Sequence, residues 1–182
     1  NDGDAIYLSA ERAIMNTILA PASGGLFTFA TRKYITGDKK DQRMDFQGLT
    51  NGILAGLVCI TASCDSVESW AAVLIGIIGS VTYSVACLVM TKLQIDDPLE
   101  AFQVHGACGI MGCVVLAFFK MEAGIFYGGK SITDDDGNKT VMGWELLGVQ
   151  LFGCLMITLW SGGLCAIFFF ISMKAQALRL SE

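Results

Sequence analysis

One histidine, His105, is the only such residue in 182, and it sits inside an apolar run just after three carboxylates, Asp96, Asp97 and Glu100. A neutral imidazole donates from one ring nitrogen and accepts at the other. It can therefore hold a small polar solute or pass a proton along a dry pathway. The residues before it read as the start of a helix. Asp97 suits the N-cap, where a carboxylate accepts free backbone N–H groups. Pro98 suits the first helical position, where a missing N–H costs nothing. Glu100 falls at the reciprocal position of a capping box. On this reading the carboxylates cap the helix and offset its dipole. At 1.5 Å per residue, His105 is expected about 10 Å along the helix from Pro98. That depth lies within hydrocarbon, where an ionisable side chain is costly and faces a pathway or a partner.

On a helical wheel Ala101, Phe102, His105, Gly109 and Gly112 share one face. Gly106, Gly109 and Gly112 recur every third residue. Small residues at that spacing let a second backbone approach, or leave room for a narrow lumen beside the imidazole.

The rest of the chain must place this helix in a bilayer. Hydrophobic residues make up 53% of it and charged residues 16%, and mean hydropathy is +0.57. Soluble domains carry about 25% charge, so the balance indicates an all-α polytopic membrane protein. A net charge of −5 argues against a nucleic-acid partner, which calls for a basic patch. The apolar runs predict five transmembrane helices in one membrane domain over 1–182, at about 10–31, 46–63, 68–92, 98–120 and 143–174. The first contains Pro21 and a bend is expected there. The second contains Gly52 and Gly56, a small-xxx-small pair suited to close helix contact. Between the fourth and fifth runs lies a long polar loop.

Five spans alternate sides, so loop charge tests the orientation. Eight Lys/Arg fall on the side of the C-terminus and four on the other. The positive-inside rule then places the C-terminus in the cytosol and the N-terminus outside. Asp97 and Glu100 thus stand at a cytosolic mouth, and Asn138-Lys139-Thr140 forms an extracytoplasmic N-x-[ST] sequon.

Two further residues are pathway candidates with plainer readings beside them. Thr61 ends the second run, where helix termination accounts for it. Trp160 lies mid-span beside Ser161-Gly162-Gly163, where packing with its N–H bonded to a neighbouring helix accounts for it. The seven cysteines form no CxxC; most lie in apolar runs and act as small hydrophobes. No metal site and no cofactor are expected. An enzyme or haem protein built on His105 would need a second histidine or paired intramembrane carboxylates, and neither is present.

Asp96-Asp97-Pro98, followed by Val104-His105-Gly106 and Gly109-Ile110-Met111-Gly112, resembles the ammonium transporter (Amt/Mep/Rh) family. So do the stretch from Gly52 to Cys64, Leu159-Trp160-Ser161-Gly162, and the closing Leu178-Arg179-Leu180-Ser181-Glu182. The resemblance runs over almost the whole chain. It implies a place among spans seven to eleven of an eleven-span fold, most of the second of two inverted repeats. It also implies a homotrimer in the plasma membrane with one pore per subunit. His105 would be the second of two pore histidines, with Phe102 and Ala101 near the pore. Ammonium would be recruited outside, lose its proton and cross a hydrophobic lumen as ammonia. The first histidine, the outer phenylalanine gate and the span-five acidic residue belong to the family's first half. No residue here matches them, so an N-terminal half, on the same or a separate chain, is an expected partner. The alternative function is a structural or accessory membrane subunit that keeps the fold without transport.

Overall fold

The computed structural model describes residues 2–35, 46–133 and 139–175. Five helices form, in the order expected: α1 (Asp2–Ile35), α2 (Phe46–Ile60), α3 (Ser69–Lys92), α4 (Cys108–Phe119), which a π-helical turn (Phe102–Ala107) leads into, and α5 (Gly143–Lys174). By length and composition four stretches can cross a membrane: Tyr7–Thr31, Ser69–Lys92, Phe102–Phe119 and Gly143–Lys174. The 15 residues of α2 fall short of the roughly 20 that span a bilayer, and turns carry the chain on through Ser66.

The first three helices pack on one another. Backbone is the contact surface, because small residues meet where they cross. A Cβ at Gly56 would lie 2.6 Å from the Ala20 carbonyl oxygen and 2.9 Å from Pro21 Cα. Pro21 sits inside α1, which stays helical through it. Ser23 Oγ, two residues on, donates to the carbonyls of Ala20 at 3.0 Å and Val73 at 2.9 Å, which ties α1 to α3. Thr28 and Ser80 pair their hydroxyls deeper in the same seam.

The link between α2 and α3 is pinned from α1. Asn16 is fully buried, and its Nδ2 donates to the carbonyls of Cys64 and Val67, both at 2.8 Å. Arg12 reaches the carbonyl of Asp65 at 3.2 Å. Replacing Asn16 with Ala leaves one buried and one part-buried carbonyl without this donor. A loss of about 1–3 kcal/mol is expected, read as a lower thermal midpoint in detergent. A midpoint equal to wild type would contradict the role.

The π turn and α4 lie against α2 and α3. Val104 and Cys108 join Ala55, Tyr83 and Cys87 in one apolar cluster. Val115 and Phe119 join Ala20, Ile60 and Ile75 in another. The long polar loop proves partly built. It holds a 3₁₀ turn, Ile125–Tyr127, and a two-stranded antiparallel ribbon, β1 (Ile132–Thr133) with β2 (Lys139–Thr140). Lys139 pairs with Glu145 at 2.7 Å, which ties this ribbon to the start of α5. Asn138 of the sequon, the loop segment 36–45 and the closing residues 176–182 lie outside the described residues.

Helix α5 packs chiefly on α4. Gly143 is its one buried residue; between Glu145 and Lys174 it carries no charge, and apolar side chains stand on every side of it. Trp160 is 73% exposed against the described residues.

Candidate functional site around His105

The helix carrying His105 starts later than the sequence pattern indicates. Pro98 and Leu99 form a turn, closed by Glu100 N–H donating to the Asp97 carbonyl at 3.0 Å. Helical backbone begins at Ala101. His105 is therefore the fifth helical residue, about 6 Å from the helix start rather than about 10 Å. Asp97 does cap the helix: Oδ1 accepts from Ala101 N–H at 3.1 Å and Oδ2 from Phe102 N–H at 2.9 Å. Glu100 does not complete a capping box. Its backbone is left-handed, with φ 55°, and this turns the side chain toward α2 and α3. There Oε2 accepts from Asn51 Nδ2 at 2.7 Å and from the Tyr83 hydroxyl.

From Phe102 to Ala107 the turn is π-helical. Such wide turns fit an extra residue into a helix and recur at functional sites. This one divides its residues sharply. Gln103 and Val104 are buried against the bundle, while Ala101, Phe102 and His105 are exposed. The Gln103 Oε1 is buried without a partner among the described residues. Cys108 Sγ donates to the Gln103 carbonyl at 3.3 Å and to that of Gly79 at 3.4 Å, closing the turn onto α3.

The three glycines that recur along this helix do different work. The Phe102 ring lies over Gly106, where a Cβ would come within 2.8 Å of it. Gly109 faces open space, its nearest neighbour a Val58 methyl at 3.9 Å from an added Cβ. Gly112 lets α4 meet the backbone of α2, with the Cys59 carbonyl oxygen 2.8 Å from where a Cβ would stand. So His105, Phe102, Ala101 and the open flank of Gly109 lie on the side of the helix that α2 and α3 leave uncovered. Thr61 is not with them: its hydroxyl donates to the carbonyls of Leu57 and Val58, both at 2.8 Å, at the end of its own helix. Trp160 stands exposed on α5. Among the described residues no group of three His, Cys, Asp or Glu side chains could hold a metal ion.

Sequence reading missed Asn51 and Tyr83. The available signal was two polar side chains in otherwise apolar runs, which in a membrane helix ask for a hydrogen-bond partner.

The far end of α3 has its own polar clasp. Glu68 accepts from the Trp70 indole N–H and from the Tyr127 hydroxyl, the latter at 2.8 Å. These donors, Trp70 first, and the nearby Arg12 charge hold its carboxyl below the usual range. The same contact raises the Tyr127 phenol. A depressed carboxyl stabilises the fold above its unfolded pKa of about 4.3, and that support is lost as pH falls through the folded value. Acidification through that lowered folded value is therefore expected to release Tyr127 and change Trp70 fluorescence in a Trp144→Phe, Trp160→Phe background. Emission that stays invariant until the protein itself unfolds in acid would contradict it.

The model of the Ammonium Transporter Family matches residues 2–182. The chain belongs to this family. It is 32% identical over 180 residues to ammonium transporter 1 member 3 of Solanum lycopersicum, covering 97% of this chain and 38% of that protein. It is 33% identical over 179 residues to ammonium transporter 1 member 1 of Arabidopsis thaliana, covering 94% and 33%. Its fold is similar to the crystal structure of Candida albicans Mep2, with a TM-score of 0.76 at 27% identity over 96% of this chain and 37% of that one. For Saccharomyces cerevisiae Mep2 the TM-score is 0.74 at 29% identity, over 95% and 38%. The chain thus spans between a third and two fifths of the length of these relatives.

Proposed function

We propose that this chain is the C-terminal part of an ammonium transporter and supplies one wall of its pore. His105 lines that pore as one of a histidine pair, with Phe102, Ala101 and Gly109 beside it. The other histidine belongs to the N-terminal part, on the same or a separate chain. Ammonium is recruited on the outer side, loses its proton and crosses the dry lumen as ammonia, hydrogen-bonded in passing to neutral imidazole. The proton travels separately or along the histidines. The protein sits in the plasma membrane as a homotrimer with its C-terminus cytosolic, as the Lys/Arg distribution favours.

The observation that carries this reading is the placement of His105. The only histidine is on the face its own bundle leaves open, behind a turn locked to α2 and α3. A purely structural imidazole would be expected to bond a neighbouring helix within the bundle. Uptake of labelled methylammonium by the full-length protein, in cells lacking their own ammonium uptake, tests the reading. Transport that depends on His105 supports it. A correctly targeted protein with no uptake would favour the alternative, an accessory subunit that keeps the fold.

A further inference from the structure

We propose that Glu100 is a positioning residue: clasped by Asn51 and Tyr83, it fixes the π-helical turn in the orientation that presents His105. The functional half of this inference rests on the pore reading of His105; the structural half does not.

Three observations carry it. The first is conformational. Glu100 holds a left-handed backbone, φ 55°, a conformation unfavourable for any residue with a Cβ. Glycine would adopt it freely, yet a carboxylate stands there, and strain of this kind persists where the surroundings over-determine it. The second is what over-determines it. A single oxygen, Oε2, takes both the Asn51 amide from α2 and the Tyr83 hydroxyl from α3. Tyr83 is fully buried and Asn51 nearly so. The third is connectivity. The Glu100 carbonyl accepts from Val104 N–H at 3.1 Å, so the clasped residue also starts the turn. Capping is not its task, because Asp97 already serves the N–H groups of Ala101 and Phe102.

The π turn needs such an anchor. It holds one residue more than the α-helical register allows. Relaxing it to regular helix would rotate the residues on one side of it by about 100° relative to the other. With Val104 and Cys108 packed against α3 on one side and Glu100 clasped on the other, His105 has little freedom to turn. Without the clasp the extra residue can pass out of the helix at its free end, and His105 swings toward the packed side.

The test uses the full-length protein. A structure of the Glu100→Ala variant is expected to show α-helical hydrogen bonding over 102–107 and a displaced His105. Maximal uptake should fall about tenfold or more, since small misplacements of a reacting group are that costly, while the apparent KM stays within about twofold because recruitment happens elsewhere. Glu100→Gln keeps an acceptor oxygen and should retain uptake within about threefold of wild type. Should Glu100→Ala not fold, Tyr83→Phe removes one donor, leaves the other, and is expected to show a smaller displacement and an intermediate rate. In a His105→Ala background, Glu100→Ala should lower uptake by less than about twofold further, because both changes act through one side chain. An unchanged π turn and His105 position in Glu100→Ala and Tyr83→Phe would overturn the inference. So would a full multiplicative loss in the double variant. A displaced His105 together with normal uptake by His105→Ala would uphold the positioning role and refute the pore reading.

Discussion

His105→Ala in the full-length protein is expected to reduce methylammonium uptake by about tenfold or more and to alter the charge moved per substrate. The argument starts from what a dry passage lacks. Ammonia leaving water gives up hydrogen bonds, and an apolar wall returns none of them. An unmet polar group in such a setting costs about 1–3 kcal/mol, and 1.4 kcal/mol is a factor of ten in rate. The imidazole supplies a donor and an acceptor at one point in space; alanine supplies neither. The charge effect has a separate origin. If a proton moves along the histidines, removing one breaks the relay, while a neutral solute can still pass a widened lumen. Uptake and current measured together separate these contributions. Uptake and charge ratio both equal to wild type, with equal surface expression, would remove His105 from the pathway. The neighbouring Gly109 borders the same space: among the described residues outside its own helix, only the Val58 methyl stands within 4 Å of an added Cβ.

Much of the fold was legible because hydrophobic length is a strong signal in membrane proteins. The five apolar runs coincide with the five helices to within a few residues at most ends. The exception, α1, starts at Asp2, earlier than hydropathy shows, because polar residues can extend a helix beyond the bilayer. Gly52 and Gly56 were legible as contact residues, since small side chains at that spacing have few other uses. The beginning of the His105 helix was not. Asp97-Pro98 and Glu100 satisfy the rules for a cap, a first turn and a capping box, and sequence rules are local. Two distant donors, on Asn51 and Tyr83, draw Glu100 away from the cap and delay the helix by three residues. No pattern within the stretch records that. The π turn was equally hidden, because its sequence is compatible with an ordinary helix. As for partners, α5 is apolar on every side, so its composition names a membrane helix without saying which face another helix or lipid covers.

The largest effect on folding is expected at Gly76, where three helices come together. A Cβ there would stand 2.1 Å from the Ala20 carbonyl oxygen and 2.2 Å from Ser23 Oγ, with the Ala20 carbonyl carbon at 2.8 Å. Gly24, on the opposing helix, would meet the carbonyl oxygens of Gly52 at 2.8 Å and Gly76 at 3.0 Å. The backbones of α1, α2 and α3 therefore touch with nothing between them. A side-chain hydroxyl can rotate away, but the Ala20 carbonyl belongs to a helix fixed by Pro21, Ser23 and Asn16 on either side. Overpacking a core by one methyl costs about 1–3 kcal/mol where neighbours can shift, and here the main neighbour is backbone. Gly76→Ala should lower the thermal midpoint in detergent, and Gly76→Leu should leave no folded protein on size-exclusion chromatography. Adding Ser23→Ala to Gly76→Ala relieves one clash of the two, so it should recover only part of the loss. That change also removes the hydroxyl that bonds Ala20 and Val73. A Gly76→Ala protein that melts with wild type would mean that α1 and α3 stand further apart than this packing requires, and the crossing would then lose its explanation for why glycine occupies it.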